Sequence, residues 1–163
     1  MTDRRLRGVV LLLSLAGAGI AAYLTVAHFT HLQVACATGG CETVQTSRYA
    51  EVAGVPVAAI GLTGYLALAW TASSGGGLAR AAGFAAATTG FAVAMVLLYV
   101  QTAVLHAFCQ WCLASDAILV VLVPLTLLRA WREAPPAEGS LRRARHRSAR
   151  DPARRAGRPR PRR

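Results

Sequence analysis

Residues 81–115, AAGFAAATTGFAVAMVLLYVQTAVLHAFCQWCLAS, contain no Asp, Glu, Lys or Arg. A helix that crosses a bilayer needs about 20 mostly apolar residues, so this run is too long for one span and must break within itself. Upstream, residues 8–40 and 52–79 also carry no formal charge. Spans are therefore expected at about 8–30, 55–74, 80–105 and 108–128. Pro56 stands where the second helix would start, a position at which its missing N–H costs nothing. SSGGG at 73–77 reads as a tight turn before the third.

Composition points the same way. The chain has 163 residues, 55% of them hydrophobic, with seven acidic residues and no lysine. A soluble core of that size cannot hide so much apolar surface. The expected fold class is an all-α integral membrane protein, a four-transmembrane-helix bundle with an extracytoplasmic loop. A cleaved signal peptide is the alternative for the first span, given DRRLR at its start and AGAGIAA within it. Its apolar run, which reaches Ala27, exceeds the usual h-region of about 7–15 residues and favours an uncleaved helix. Small residues recur at helical spacing, Gly54 and Gly61 on one span and Gly83, Ala87, Gly90 and Ala94 on another, a pattern that allows helix backbones to approach closely in lipid.

Orientation follows from arginine. Arg4, Arg5 and Arg7 precede the first span, Arg80 opens the third, and Arg129 and Arg132 close the fourth. By the positive-inside rule these regions are cytoplasmic, so both termini face inward and an even number of spans is required. Residues 1–132 form the membrane domain. Residues 133–163 are expected to be a disordered, Arg/Pro-rich cytoplasmic tail, too poor in apolar content to fold. Its eleven arginines from Arg142 to Arg163 suit contact with anionic lipid beside the inner leaflet better than nucleic acid.

This topology places all four cysteines on one side. Cys36 and Cys41 lie in the first outward loop, and Cys109 and Cys112 open the fourth helix. The outward side of a bacterium-like cell is oxidising, where close thiol pairs persist as disulfides. Three readings follow. The pairs could be structural staples in a non-catalytic membrane protein, although bridges over so few residues remove little chain entropy. They could supply four thiolates to zinc, but such a site needs reduced thiols, and no metal is expected. Or they could relay electrons, each pair alternating between dithiol and disulfide. FCQWC favours relay: Cys109 is expected in the first turn of the fourth helix, where unpaired N–H groups and the positive end of the dipole favour a thiolate. The loop pair can meet a soluble protein, while the helix pair lies at the membrane boundary beside Phe108 and Trp111. Such an arrangement suits passage of electrons to a lipid-soluble quinone.

CATGGCETVQTSRYAEVAGVPVAAIGLTGY (36–65) together with HAFCQWC (106–112) resembles the vitamin K epoxide reductase family, in particular its bacterial homologues. The resemblance covers about residues 8–130. It rests on the loop cysteine pair, Ser47 six residues after Cys41, the Gly-x-Pro of Gly54 and Pro56, the Gly-x-x-Gly-Tyr of Gly61, Gly64 and Tyr65, and the CxxC that opens the fourth helix. It implies a four-helix bundle around a quinone of menaquinone or ubiquinone type. It also implies a bacterial inner-membrane enzyme that re-oxidises a thioredoxin-like or DsbA-like extracytoplasmic protein and so supports disulfide formation in exported proteins. Cys36 and Cys41 would then be the shuttle pair, Cys109 would exchange with it, and Cys112 would lie nearest the quinone; the order of action of Cys36 and Cys41 stays open. Ser47 would sit on a short helical stretch capping the quinone pocket.

Two departures from the family stand out. Many bacterial members carry a fused thioredoxin domain, whereas the residues after Arg132 cannot form one, so the donor is expected to be a separate protein. Asp116 stands where animal members have a pocket tyrosine; a carboxyl one turn inside a membrane helix is costly and is a candidate for proton handling near the quinone. His28, His31 and His106, and likewise Tyr99, Gln101 and Trp70, read as interfacial or helix-contact residues. Gly39 and Gly40 read as a permissive backbone for a moving loop.

Overall fold

The computed structural model describes residues 3–132; the expected tail lies outside them. Helix α1 runs Asp3–Thr30, the short α2 Cys41–Gln45, and α3 Val57–Ser73. Helix α4 runs Gly77–Tyr99 and continues as a π-helical turn, Val100–Val104, before α5 at Gln110–Trp131. A minimal antiparallel hairpin joins β1, Glu51–Val52, to β2, Val55–Pro56. Its turn needs left-handed backbone at both Ala53 (φ 53°) and Gly54 (φ 79°).

The break expected within 81–115 is real and has two parts. The chain first widens into the π-helical turn, then leaves helix altogether at 105–109. His106, at φ 49°, takes the left-handed conformation that reverses it.

Helices α1, α4 with its π-helical extension, and α5 are each long and apolar enough to cross a membrane. Their outer faces carry large exposed apolar side chains: Leu12 is 69% exposed, Leu78 86% and Val96 63%. Contiguous apolar surface on this scale is untenable in water and natural in lipid. The protein is a helical membrane protein. Trp70 and Tyr99, at 76% and 65% exposure, stand on that outer surface.

The core is built largely from small residues. Ala18, Ala21, Ala72, Ala87 and Ala94 pack with Val10, Tyr65, Leu68, Leu119 and Leu122. The small-residue pattern serves two purposes. Gly83 permits close approach, since a Cβ there would lie 2.8 Å from Thr71 Oγ1. Gly61, by contrast, would meet nothing within 4 Å, and Gly54 is a turn residue; neither brings helices together. Gly17 has a third use. Its missing Cβ leaves room for the ring of Tyr65, which would otherwise be 2.3 Å away.

Helix α3 is the short member. Its 17 residues extend roughly 25 Å at 1.5 Å per residue, below the hydrocarbon thickness of about 30 Å. Its last carbonyls are met by two arginines from other helices. Arg7 donates from Nε to Ala72 O (3.1 Å) and from a terminal nitrogen to Ser73 O (2.5 Å). Arg129, only 4% exposed, lies 3.3–3.4 Å from the carbonyls of Thr71, Ala72 and Ser74. Helix C-termini leave four carbonyls without intrahelical partners, and cations near them are favoured by the helix dipole. The arginines that mark orientation in the sequence therefore also terminate α3.

Candidate redox site

At the opposite end of the bundle the two cysteine pairs come together. Cys36 and Cys41 are disulfide-bonded, with Cα atoms 5.9 Å apart. Cys109 and Cys112 are free thiols. Cys41 opens α2 and Cys109 immediately precedes α5; both are wholly buried, whereas Cys36 is only partly so. Cys109 is thus the capping residue of α5, in extended backbone (φ −98°, ψ 113°), and not in its first turn as expected.

The loop carrying the bonded pair is fastened to the free pair by side chains from both sides. Gln110 spans two loop peptides, accepting from Ala37 N–H at 2.9 Å and donating to Ala35 O at 3.1 Å. Trp111 Nε1 donates to the same Ala35 carbonyl at 2.8 Å, and Ala35 N–H donates to Tyr23 OH at 3.0 Å. The Tyr23 and Trp111 rings meet at 5.1 Å. Thr38 donates to Phe108 O at 2.7 Å while its hydroxyl lies 3.9 Å from Cys41 Sγ. Gly40 makes the closest approach: a Cβ there would be 2.6 Å from Phe108 N and 2.8 Å from Phe108 O. Gly40 directly precedes Cys41 and Phe108 directly precedes Cys109, so this backbone contact brings the two pairs side by side.

The two loop glycines therefore differ. Gly39 has positive φ (76°) and supplies the turn. Gly40 has an ordinary negative φ (−97°) and is needed for space, not for freedom.

Cys109 stands outside the spanning helix, and its thiol is held below the usual thiol value. The main cause is the neighbouring Cys112 thiol, which favours the thiolate; burial opposes it, and the N–H groups of Trp111 and Cys112 and the Gln45 side chain add to the lowering. A thiolate is the nucleophilic form of cysteine.

Cys112 faces inward onto a cavity of about 490 Å³ whose walls come from every long helix. Most of the lining is apolar, including Leu24, Ile60, Leu68 and Leu97, and Gly61 and Gly64 open space in it. The polar groups near the cysteine end include Ser47, Gln45, Gln101, Ser115 and Asp116. Ser47 follows α2 and donates to Val44 O at 2.8 Å, so it lies in the turn after the short helix and not on it. Tyr65 OH bonds Ser115, 3.0 Å to its carbonyl and 2.8 Å to its hydroxyl. Asp116 Oδ2 is buried without a hydrogen-bond partner. Mostly apolar walls with a few convergent polar groups are the usual make-up of a small-molecule site.

Among the described residues no cluster of three or more His, Cys, Asp or Glu side chains could hold a metal ion. His28 instead pairs with Glu51 at 3.0 Å, tying α1 to the hairpin. Of its two expected roles, Gln101 takes the helix contact and not the interfacial one, being 2% exposed and accepting the Cys109 N–H at 2.9 Å. Gln110 and Thr38 were not singled out by sequence at all, and nothing in their local context distinguishes them from ordinary polar residues.

The family model described as the vitamin K epoxide reductase family matches residues 9–127. That range takes in both cysteine pairs, the fastened loop and all the helices that wall the cavity. With two cysteine pairs side by side in a helical membrane protein and a match over most of its length, the chain belongs to the vitamin K epoxide reductase family, whose kind of activity is thiol–disulfide oxidoreduction.

Proposed function

We propose that the chain takes two electrons from the dithiol of a separate thioredoxin-like or DsbA-like extracytoplasmic protein and passes them to a membrane quinone, of menaquinone or ubiquinone type. It thereby supports disulfide formation in exported proteins. The observation that carries this reading is a bonded loop pair held against a free pair whose second member walls an apolar cavity.

The difference in burial supports an order of action. A thiolate of the partner attacks Cys36 Sγ, the accessible sulfur of the loop bond, and Cys41 leaves as thiolate. The partner's second thiol displaces Cys36, so the partner departs with a disulfide and the loop pair holds two electrons. Cys41 thiolate then attacks Cys109 in a Cys109–Cys112 disulfide and releases Cys112. Cys36 attacks Cys41, restoring the loop bond and releasing Cys109. The bonded loop and free membrane pair seen here correspond to the state after this transfer.

A bound quinone supplies an acceptor for two electrons and two protons. The residues present fit it: apolar walls suit a ring and its hydrocarbon substituents, and the unpartnered oxygen of Asp116 offers a hydrogen-bonding group in an otherwise dry chamber. Cys112 presents the reducing sulfur there, Asp116 holds or moves a proton, and Ser47 lines the wall. Re-forming the Cys109–Cys112 bond completes the cycle.

In this reading α3 is the fourth span, with its shortfall in length offset by the guanidinium contacts at its end. The arginine-bearing end faces the cytoplasm, and the cysteines face outward from a bacterial inner membrane. A purely structural role for the cysteines fits less well, since a staple has no use for two adjacent free thiols beside a cavity.

Trapping tests the order directly. Cys41→Ala, which leaves Cys36 as a free thiol, should attack the disulfide of an oxidised thioredoxin-like protein and accumulate a mixed disulfide through Cys36, the partner's second sulfur leaving as thiolate. Capture only through Cys41, in Cys36→Ala, would reverse the order; capture in neither would remove the partner from the proposal.

A further inference from the structure

The π-helical turn at Val100–Val104 coincides with an unusual polar residue. Leu105 N–H bonds Val100 O at 2.9 Å, five residues back, and the extra residue in this turn rotates the helix. Gln101 thereby faces the interior at 2% exposure, while Thr102, Ala103 and Val104 are exposed. Insertions of this kind recur at functional sites. Gln101 then organises the whole connection to α5. Its backbone carbonyl accepts Ala107 N–H at 3.1 Å, and its side-chain Oε1 accepts Cys109 N–H at 2.9 Å. Cys109 O in turn accepts Leu113 N–H at 3.0 Å, the first helical bond of α5.

No side chain caps the start of α5 by hydrogen bonding. The Cys109 amide is therefore held from α4, and the position of the Cys109 sulfur depends on a contact eight residues away. On the loop side, Gln45 lies four residues after Cys41 on α2, so both share one face of that short helix, and the Gln45 side chain reaches the Cys109 thiol.

We propose that Gln101 is a positioning residue for thiol exchange: its buried carboxamide oxygen, presented by the π-helical turn, fixes the Cys109 backbone so that one sulfur serves both Cys41 and Cys112. This rests on the relay reading above, but it concerns only the geometry of Cys109 and is testable without partner or quinone. The acceptor oxygen is the essential part. A side chain of equal length without it would let the 105–109 connection relax and move the sulfur from its line of attack. Misplacements of about 1 Å in reacting groups cost up to roughly a hundredfold in rate.

The test uses the full chain in membranes with Cys36→Ala and Cys112→Ala, leaving Cys41 and Cys109. Diamide, an azo oxidant, takes two electrons and two protons as the Cys41–Cys109 bond forms, and maleimide–polymer gel shift reads the remaining thiols. Gln101→Met, matched in length, should slow bond formation about tenfold or more. Gln101→Glu, which keeps an acceptor oxygen at the same reach, should stay within about threefold of the parent. Should Gln101→Met fail to insert, Gln101→Leu and Gln101→His take the same two places. Bond formation at the parental rate without the acceptor, or equal slowing with and without it, overturns the proposal. Slow bond formation in the parent itself would instead refute exchange between Cys41 and Cys109, and with it the relay reading.

Discussion

The two ends of this bundle both use polar side chains to reach backbone across the fold, and to different ends. At one, Arg7 and Arg129 reach the last carbonyls of α3. At the other, Gln110, Trp111 and Thr38 hold a loop onto the connection before α5. The arginine end satisfies the last carbonyls of α3, which no residue within the helix can reach. The cysteine end holds together the two segments that carry the cysteine pairs, which exchange a bond in the proposed relay. The contrast teaches that similar contacts secure a helix end at one side and bring two cysteine pairs side by side at the other; if the proposed relay holds, substitutions at the two ends should fail in different assays.

The largest effect is expected from Cys112→Ala. Quinone reduction should fall by about a thousandfold or more, the scale of removing a group that carries the chemistry, while insertion and thermal stability in detergent stay unchanged. Residual cysteine-dependent turnover would place the reducing sulfur elsewhere.

Gly40→Ala should come next. Its Cβ would collide with backbone atoms of Phe108, which cannot swing aside as a side chain does. Transfer from loop to membrane pair should slow by roughly tenfold to a hundredfold. Quinone reduction by a pre-reduced Cys109–Cys112 pair should be unaffected, and a rapid-mixing experiment separates the two phases.

Asp116→Asn should lower quinone turnover about a hundredfold, the low end of the usual range for a proton-transfer group, leaving thiol exchange intact. Unchanged turnover across the pH range would remove the carboxyl from proton handling.

Arg129→Ala should leave turnover per inserted molecule unchanged. It should cost stability of about 2–3 kcal/mol, the scale of hydrogen bonds to a charged group, read by denaturation in detergent. If that variant instead lost turnover at full stability, the division between the two ends would collapse.

The sequence carries much of this. Thirty-five residues without charge announced a break, and two close cysteine pairs flanking apolar helices marked where to look for thiol chemistry. Both are local signals. Asp116 also stood out, because a carboxyl within an apolar helix is conspicuous by composition alone, and its buried, unpartnered oxygen gives that signal a physical setting.

What could not be read depends on contacts between residues far apart in the chain. Thr38 and Gln110 matter because a loop folds back over residues some seventy positions away. The interior placing of Gln101 depends on one extra residue in a helical turn, a shift of phase that hydropathy does not register. Gly40 appeared as a flexible loop residue, and only the approach of Phe108 reveals it as a steric requirement. The arginines were legible as charge but not as helix caps.

The relay is tested most directly by a single-turnover measurement under anaerobic conditions. The chain is reduced with a dithiol, freed of reductant, and mixed with a soluble quinone analogue while quinol absorbance and free thiols are followed together. Two thiols should disappear for each quinol formed, until with excess quinone both the Cys36–Cys41 and the Cys109–Cys112 bonds have formed, and no quinol should form in Cys112→Ala. Quinol formation without loss of those thiols, or a fully reduced chain that leaves the quinone untouched, would contradict the relay.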